Sequence, residues 1–219
     1  MKSLYKFITV FFVLFSFYLT GCVDLEQKTK INADNSGTMK VHYWTKSSNL
    51  SMNTDLGGFG FTEDKARANY SSVNSEVTSA KVEKKDSDST THVNVELNFK
   101  DITKLPSAVA FKNVKVSYEK GSEGMDFKYV LLKDTAGHSG DNKLNFDFEF
   151  PSDVISTNGK KDGNKVSWTK TISDLKNDVE MTATVKSGKK CGLFGLELPI
   201  IVFTGLIFAG LKRRKQNKK

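Results

Sequence analysis

Hydrophobic and polar residues alternate in several stretches of this sequence. In the clearest stretch, Val93, Val95, Leu97 and Phe99 are separated by polar side chains. The same spacing recurs at 39–44, 125–131, 144–150 and 179–185. Alternation with a period of two places one kind of side chain on each face of a β-strand. One apolar and one polar face are typical of antiparallel sheets, so we predict antiparallel strands.

Short polar segments separate these stretches. Asp, Asn, Ser and Gly cluster at 34–37, 86–89, 121–124 and 162–164. These residue types favour tight turns, because they accept positive φ or hydrogen-bond to their own backbone. Strands that are consecutive in the sequence are therefore predicted to form hairpins.

One helix is predicted at 63–73. Thr62 is suited to cap its first turn, and Glu63 and Asp64 favour the positive end of the helix dipole. A shorter helical turn is expected at 101–105, ahead of a proline. We predict an α+β fold in which a meandering antiparallel sheet is covered by one helix.

The N-terminus has the layout of an export signal. Two lysines precede an apolar run at 7–19, and Leu19-Thr20-Gly21 leads into Cys22. The run has 13 residues, whereas a spanning helix needs about 20. We interpret 1–21 as a cleaved signal peptide, with an uncleaved anchor as the alternative. The segment resembles a bacterial lipobox, which implies a diacylglyceryl group with palmitate-type chains on Cys22.

A membrane-spanning segment is predicted near the C-terminus. The apolar run 192–211 would extend about 30 Å as a helix, which is the thickness of the bilayer core. Glu197 interrupts it and is expected near the outer headgroups, with a buried functional carboxylate as the alternative. The basic tail is expected in the cytoplasm. We divide the chain into a signal peptide at 1–21, an extracytoplasmic domain at 22–190, a transmembrane helix at 191–211 and a cytoplasmic tail at 212–219.

The positive charge of the chain lies mainly outside the predicted domain. The net charge is +8, but the signal peptide carries two of these charges and the tail six, while Glu197 removes one. Residues 22–190 therefore keep a net charge of +1. A nearly neutral domain lacks the field that attracts nucleic acid, so we exclude that class of partner.

The chain has two cysteines. Cys22 is assigned to the lipid anchor, so no disulfide is expected within the domain. Cys191 is interpreted as a small apolar residue at the membrane edge. An intermolecular disulfide is the alternative.

Short matches to catalytic motifs lack the structural context that the corresponding chemistry requires. Residues 86–90 fit the DxDxT pattern of aspartyl-phosphate phosphatases, but they lie at a predicted hairpin tip, where turn residues are expected. His42, His92 and His138 are not spaced as metal ligands. The first two are expected as ordinary exposed histidines on polar strand faces. We predict a protein that is not an enzyme and has no catalytic residue, metal or cofactor.

Two apolar features are candidates for contact with lipid. The loop at 47–61 mixes large apolar residues with glycines, so it is either a lid or membrane contact, or a part of the core. The phenylalanines on the inner sheet face either fill the core or line a ligand cavity. Six residues are candidate ligand-binding positions: Leu56, Phe59, Phe61, Phe127, Phe146 and Phe148.

The order of these features resembles that of the LppM-type bacterial lipoproteins. The resemblance rests on Cys22 followed by a strand at 23–31, the turn at 34–37, the late hairpin around 156–168 and the closing membrane helix with its basic tail. It implies a non-enzymatic envelope domain that contacts lipid or glycolipid.

We therefore expect a lipoprotein of the cell membrane that is held by two anchors, the diacylglyceryl group on Cys22 and the C-terminal helix. Its partners would be membrane lipids, and its domain would bind lipid or glycolipid at the membrane surface. The alternative is an interaction or assembly module that binds an envelope protein and no small ligand.

Overall fold

The structure is a computed structural model that describes residues 23–50, 54–56, 58–135 and 140–187. The predicted signal peptide, Cys22 and the C-terminal segment 188–219 lie outside these residues. Within the described ranges, no helix combines the length and the hydrophobicity that a bilayer crossing requires. The domain boundaries and both anchors therefore stay predictions.

Thirteen strands lie within the described residues. They are β1 (Asp24–Ile31), β2 (Gly37–Lys46), β3 (Asp55–Leu56), β4 (Phe59–Gly60), β5 (Ser75–Lys85), β6 (Thr90–Phe99), β7 (Val114–Lys120), β8 (Met125–Leu131), β9 (Lys143–Glu149), β10 (Val154–Thr157), β11 (Lys160–Asp162), β12 (Lys165–Thr171) and β13 (Val179–Val185). The helical elements there are the α-helix α1 (Glu63–Tyr70) and the 3-10 helices Ser47–Leu50, Ile102–Ser107, Val109–Phe111 and Ile172–Lys176.

Seven strands form the larger sheet, in the order β11-β12-β9-β1-β2-β6-β5. Its centre is β1, which pairs with β2 in antiparallel and with β9 in parallel orientation. Alternate residues of β1, from Leu25 to Ile31, are buried on the inner face, while Lys28 and Lys30 are exposed on the outer face. The alternation seen in the sequence therefore separates a core face from a polar face.

A second sheet has four strands in the order β10-β13-β8-β7. Its inner face packs against part of the larger sheet through aromatic side chains. The ring centroids of Phe127 and Phe148 lie 5.1 Å apart, and those of Tyr129 and Phe146 lie 6.0 Å apart. These contacts join the two sheets into one hydrophobic core.

Helix α1 packs against β5 and β6, on another part of the larger sheet. Thr62 accepts a hydrogen bond from the Lys65 backbone N–H at 3.3 Å, so the predicted N-cap is confirmed. Ala66 and Tyr70 form its buried side. The helix ends at Tyr70 instead of residue 73, because Ser71 adopts an extended conformation.

The second predicted helical turn differs in type and length. It is a 3-10 helix at Ile102–Ser107, and it contains Pro106 instead of ending before it. The Asp101 carboxylate accepts a hydrogen bond from the Thr103 backbone N–H at 3.0 Å and so caps the segment. A short 3-10 segment tolerates proline near its end, because the fixed φ of proline fits its geometry.

The prediction of a single meandering antiparallel sheet is wrong in two respects. The strands belong to two main sheets and a small β3–β4 hairpin, and the larger sheet is mixed because β1 and β9 are parallel. The helix covers only part of the apolar surface, and the second sheet and the 3-10 segments at 102–111 cover other parts of it. The broader prediction of an α+β domain that is mainly β-sheet is confirmed.

Candidate functional site

Three of the candidate ligand-binding residues lie between the two sheets. Phe127, Phe146 and Phe148 are at most 2% exposed. The Phe127 and Phe148 rings contact one another, and Tyr129 contacts the rings of both Phe146 and Phe148. At this place the space between the sheets is occupied by aromatic side chains in mutual contact.

The other three candidates lie around the β3–β4 hairpin. Leu56 and Phe61 are buried, and Phe59 is partly exposed. Phe59 and Phe61 pack against the ring of Tyr43, at centroid distances of 5.1 and 5.3 Å. Tyr43 also donates a hydrogen bond to the Gly60 carbonyl, which fixes the hairpin on the sheet.

The structure therefore brings the six candidates into two groups, one at each part of the core. Within the described ranges, no ring contact joins the hairpin group to the group between the sheets. Both groups belong to the same hydrophobic cluster. Their packing explains their hydrophobicity, and binding of a ligand by them stays a prediction.

The outer face of the larger sheet carries a feature that the sequence reading missed. A depression of about 600 Å³ runs across β1, β2, β9, β11 and β12. We call it the lysine groove, because five lysines line it: Lys28, Lys30, Lys40, Lys160 and Lys165. Hydroxyl and carboxylate side chains complete the lining: Thr38, Ser167, Asp147, Glu149 and Asp162.

The lysines of this groove differ in their ionic partners. Glu149 forms ion pairs with Lys30 at 3.2 Å and with Lys165 at 3.6 Å. The hydrogen bond from Lys30 keeps the pKa of the Glu149 carboxyl below its usual value. Lys40 pairs with Glu96 at 2.7 Å. Surface ion pairs of this kind add little stability, so they leave the amines available to other anions.

Lys28 lies directly opposite Lys40 in the β1–β2 register and beside Asp147 in the β1–β9 register. Like charges in opposite positions of a sheet are destabilising. Among the described residues, Lys28 and Lys160 take part in no ion pair. The groove lining holds five lysines and three carboxylates, so the fold keeps an excess of positive charge in a surface depression, where an anionic group can bind.

An aromatic cluster lies next to the groove on the same outer face. The rings of His42, Trp44 and His92 lie 4.7 to 5.7 Å apart, measured between centroids. The β2–β6 register brings these residues together, because it places Trp44 opposite His92. His92 is only 6% exposed, so the expectation of an ordinary exposed histidine is wrong for this residue. His138 lies outside the described residues.

The geometry of this cluster bears on two kinds of chemistry, metal binding and nucleophilic catalysis. No three His, Cys, Asp or Glu side chains converge on a metal position in the part of the chain that the structure describes. Thr90 lies within hydrogen-bond distance of His92, as in a nucleophile–base pair, but its hydroxyl donates its proton to Asp88. A nucleophile must instead give its proton to the base, so this arrangement does not activate Thr90.

A family comparison agrees with the predicted resemblance, and one solved structure is similar to this chain. The NMR structure of the folded domain of Mycobacterium tuberculosis LppM is similar, with a TM-score of 0.47 and 16% sequence identity. The match covers 79% of this chain and 95% of that one. No curated protein matches the sequence. The LppM domain model matches residues 25–187, which include both main sheets. Because this match spans most of the chain, the protein belongs to the LppM family of lipoprotein domains.

Proposed function

We propose that the domain binds the headgroups of anionic, hydroxyl-bearing lipids or glycolipids at the membrane surface, without catalysing a reaction. The observation that carries this proposal is the lysine groove, in which Lys28 faces Lys40 and has no ionic partner among the described residues. Ammonium groups bind phosphate as point charges. The carboxylates and hydroxyls beside them can accept hydrogen bonds from the hydroxyls of a glycerol or sugar headgroup.

The packing of the interior supports headgroup binding over extraction of whole lipids. The aromatic rings between the sheets contact one another, so acyl chains entering there would have to displace core side chains. A domain that binds only the headgroup leaves the acyl chains in the bilayer. This arrangement needs no apolar cavity.

The predicted anchors fit the same proposal. A diacylglyceryl group on Cys22 and a spanning helix at 191–211 would each hold the domain at the bilayer, because two acyl chains or one such helix give stable attachment. The domain would lie outside the cytoplasm, and the tail at 212–219 would lie inside it. Attachment raises the local concentration of headgroups, so even weak sites become occupied.

The test is a double substitution of the two lysines without ionic partners. We expect Lys28→Gln with Lys160→Gln to weaken binding of dihexanoylphosphatidylglycerol about 30-fold, because each lysine near an anionic lipid contributes about 1 kcal/mol. Binding is measured by NMR titration of the full chain in neutral detergent micelles at low salt.

The matched control is Lys115→Gln with Lys120→Gln. These lysines are exposed on β7 of the smaller sheet, so the same loss of charge should leave binding nearly unchanged. Dihexanoylphosphatidylcholine should bind weakly to all variants. Equal loss of affinity in both double variants would mean that affinity depends only on net charge, which would contradict a binding site at the lysine groove. If no binding to the wild type were found, but cross-linking in intact cells captured one protein, the assembly module would be favoured instead.

A further inference from the structure

A chain of hydrogen bonds crosses the outer face beside the lysine groove. It starts at Asp88 in the β5–β6 turn, passes through Thr90 and His92 on β6 and ends at His42 on β2, whose Nδ1 faces the Glu26 carboxylate on β1. The groups come from three strands and a turn. The Asp88 carboxylate can only accept hydrogen bonds, so it fixes the direction of each hydrogen bond along the chain.

The Asp88 end sets the direction of the first two hydrogen bonds. The Thr90 hydroxyl donates to Asp88 Oδ1 at 2.5 Å, and the Thr90 backbone N–H donates to the same oxygen at 3.2 Å. Because its one proton is used, Thr90 Oγ1 must accept at its 2.7 Å contact with His92. His92 therefore carries a proton on Nε2.

The next link follows from the chemistry of neutral imidazole. A neutral His92 with a proton on Nε2 has a free lone pair on Nδ1. This atom lies 2.9 Å from His42 Nε2, so His42 Nε2–H is the donor. The two rings are only 16° from parallel, with centroids 5.2 Å apart. This separation fits an N–H···N bond directed between the edges of two nearly coplanar rings.

One nitrogen then remains without a proton, and it faces a carboxylate. His42 Nδ1 lies 3.6 Å from Glu26 Oε2. We propose that the His42–His92 pair is a site for one proton, which binds at His42 Nδ1 and is held by Glu26, while His92 stays neutral as the hydrogen-bond acceptor. A second proton would have to enter at His92 Nδ1 and would break the bond between the rings.

The surrounding charges are consistent with one bound proton. Burial, then Lys85 and His42, keep the pKa of His92 below its usual value, while Asp88 and Glu83 oppose the shift. The charged groups that face the pair in the register of the neighbouring strands are Asp24, Glu26 and Lys28 on β1, Lys40 and Lys46 on β2, Lys81, Glu83 and Lys85 on β5, and Glu96 on β6. The two signs nearly balance, so the specific contact with Glu26 decides where the proton binds.

A metal does not fit the same atoms without rearrangement. The His42 Nε2–H donates to the lone pair on His92 Nδ1, so neither atom is free to bind a metal. Metal ligands must instead point their lone pairs at a common centre. The proton is therefore the ligand that the geometry accommodates as it stands.

The proposal has a consequence for lipid binding, and this consequence rests on the proposed function. His42 shares β2 with Lys40, so its proton adds a positive charge beside the lysine groove. We expect affinity for dihexanoylphosphatidylglycerol to rise about fivefold when lowering the pH protonates His42, since one added charge near an anionic lipid is worth about that factor. Glu26→Gln should reduce this dependence on pH.

The decisive experiment measures the histidine nitrogens directly and needs no lipid. The full chain, without a polyhistidine tag, is labelled with ¹⁵N in micelles, and its imidazole nitrogens are followed from pH 8 to pH 5. The spectrum of His138→Gln shows which nitrogen signals belong to the third histidine. We expect His42 and His92 both to carry their proton on Nε2 at pH 8, and only His42 to gain a second proton on Nδ1 as the pH falls.

Two substitutions test the separate contacts of the histidine pair. Glu26→Gln should remove the preference of the bound proton for His42 over His92, and Thr90→Val should allow His92 to place its proton on either nitrogen. Independent titration of both histidines, or protonation of His92 first, would overturn the proposal. A confirmed proton site without lipid binding would instead contradict only the proposed function.

Discussion

Phe148→Ala is expected to lower the free energy of unfolding by about 3 to 5 kcal/mol, the usual cost of removing a buried aromatic ring. Phe148 is 1% exposed. Its ring contacts those of Phe127, Tyr129 and Trp168 across the interior. The truncation leaves a cavity that these large rings cannot refill, because they are held by contacts with both sheets.

The measurement is denaturant unfolding of the full chain in neutral micelles, with and without dihexanoylphosphatidylglycerol. Phe59→Ala provides the comparison. Phe59 is partly exposed at the β3–β4 hairpin, so this truncation should lower the free energy of unfolding by clearly less. We expect headgroup binding by the folded fraction to survive in both variants. A stable Phe148→Ala protein that has lost lipid binding would show instead that this ring lines a ligand site.

Gly37→Ala is expected to destabilise the domain by about 3 kcal/mol, at the upper end of the usual cost of overpacking. A Cβ atom at Gly37 would lie 2.0 Å from the Lys30 carbonyl oxygen and 2.6 Å from the Phe99 ring. The Phe99 side chain can move, but the carbonyl belongs to β1 at the centre of the larger sheet. The β1–β2 pair would therefore have to separate locally.

Gly140→Ala is the matched control for this substitution. A Cβ atom there meets only the side-chain oxygen of Asn142, at 3.3 Å, which can shift. We expect a change below about 1 kcal/mol. Because β1 and the start of β2 line the lysine groove, Gly37→Ala should also weaken headgroup binding. Equal stability of the two alanine variants would contradict the packing described at the β1–β2 turn.

Much of the local structure could be predicted from the sequence. The alternating stretch at 92–99 lies in β6, and those at 125–131 and 179–185 are β8 and β13. The predicted turn at 162–164 separates β11 from β12, and Gly163 has the positive φ that glycine tolerates there. These features succeed because alternation and turn chemistry act over a few neighbouring residues.

The arrangement of the strands could not be predicted in the same way. Alternation identifies the face of a strand, but it does not identify its partner. The parallel pairing of β1 with β9 joins Leu25 to Leu144, and the residues between them supply three strands of the larger sheet and two of the smaller one. The polar positions of β1 and β9 gave no sign of this pairing, so one antiparallel meander was the simpler interpretation.

The candidate site was missed for the same reason. Four of the five lysines of the groove are ordinary polar residues of alternating strands, and Lys160 lies on β11, where all three residues are exposed. Only the register shows that Lys28 faces Lys40 and that Trp44 faces His92. The phenylalanines were predicted as ligand-binding residues because they are large and frequent. Their burial between the sheets accounts for that frequency. The signal that could have pointed to the groove is the recurrence of lysine on the polar faces of β1 and β2.

The most direct test asks which surface of the domain lies near lipid headgroups. The full chain is placed in nanodiscs that contain phosphatidylglycerol with a nitroxide high on one acyl chain, and broadening of amide signals is measured. We predict the strongest broadening at Lys28, Thr38 and Lys165 on the outer face of the larger sheet. Strongest broadening at β7, or at the buried Phe127 and Phe146, would contradict the account.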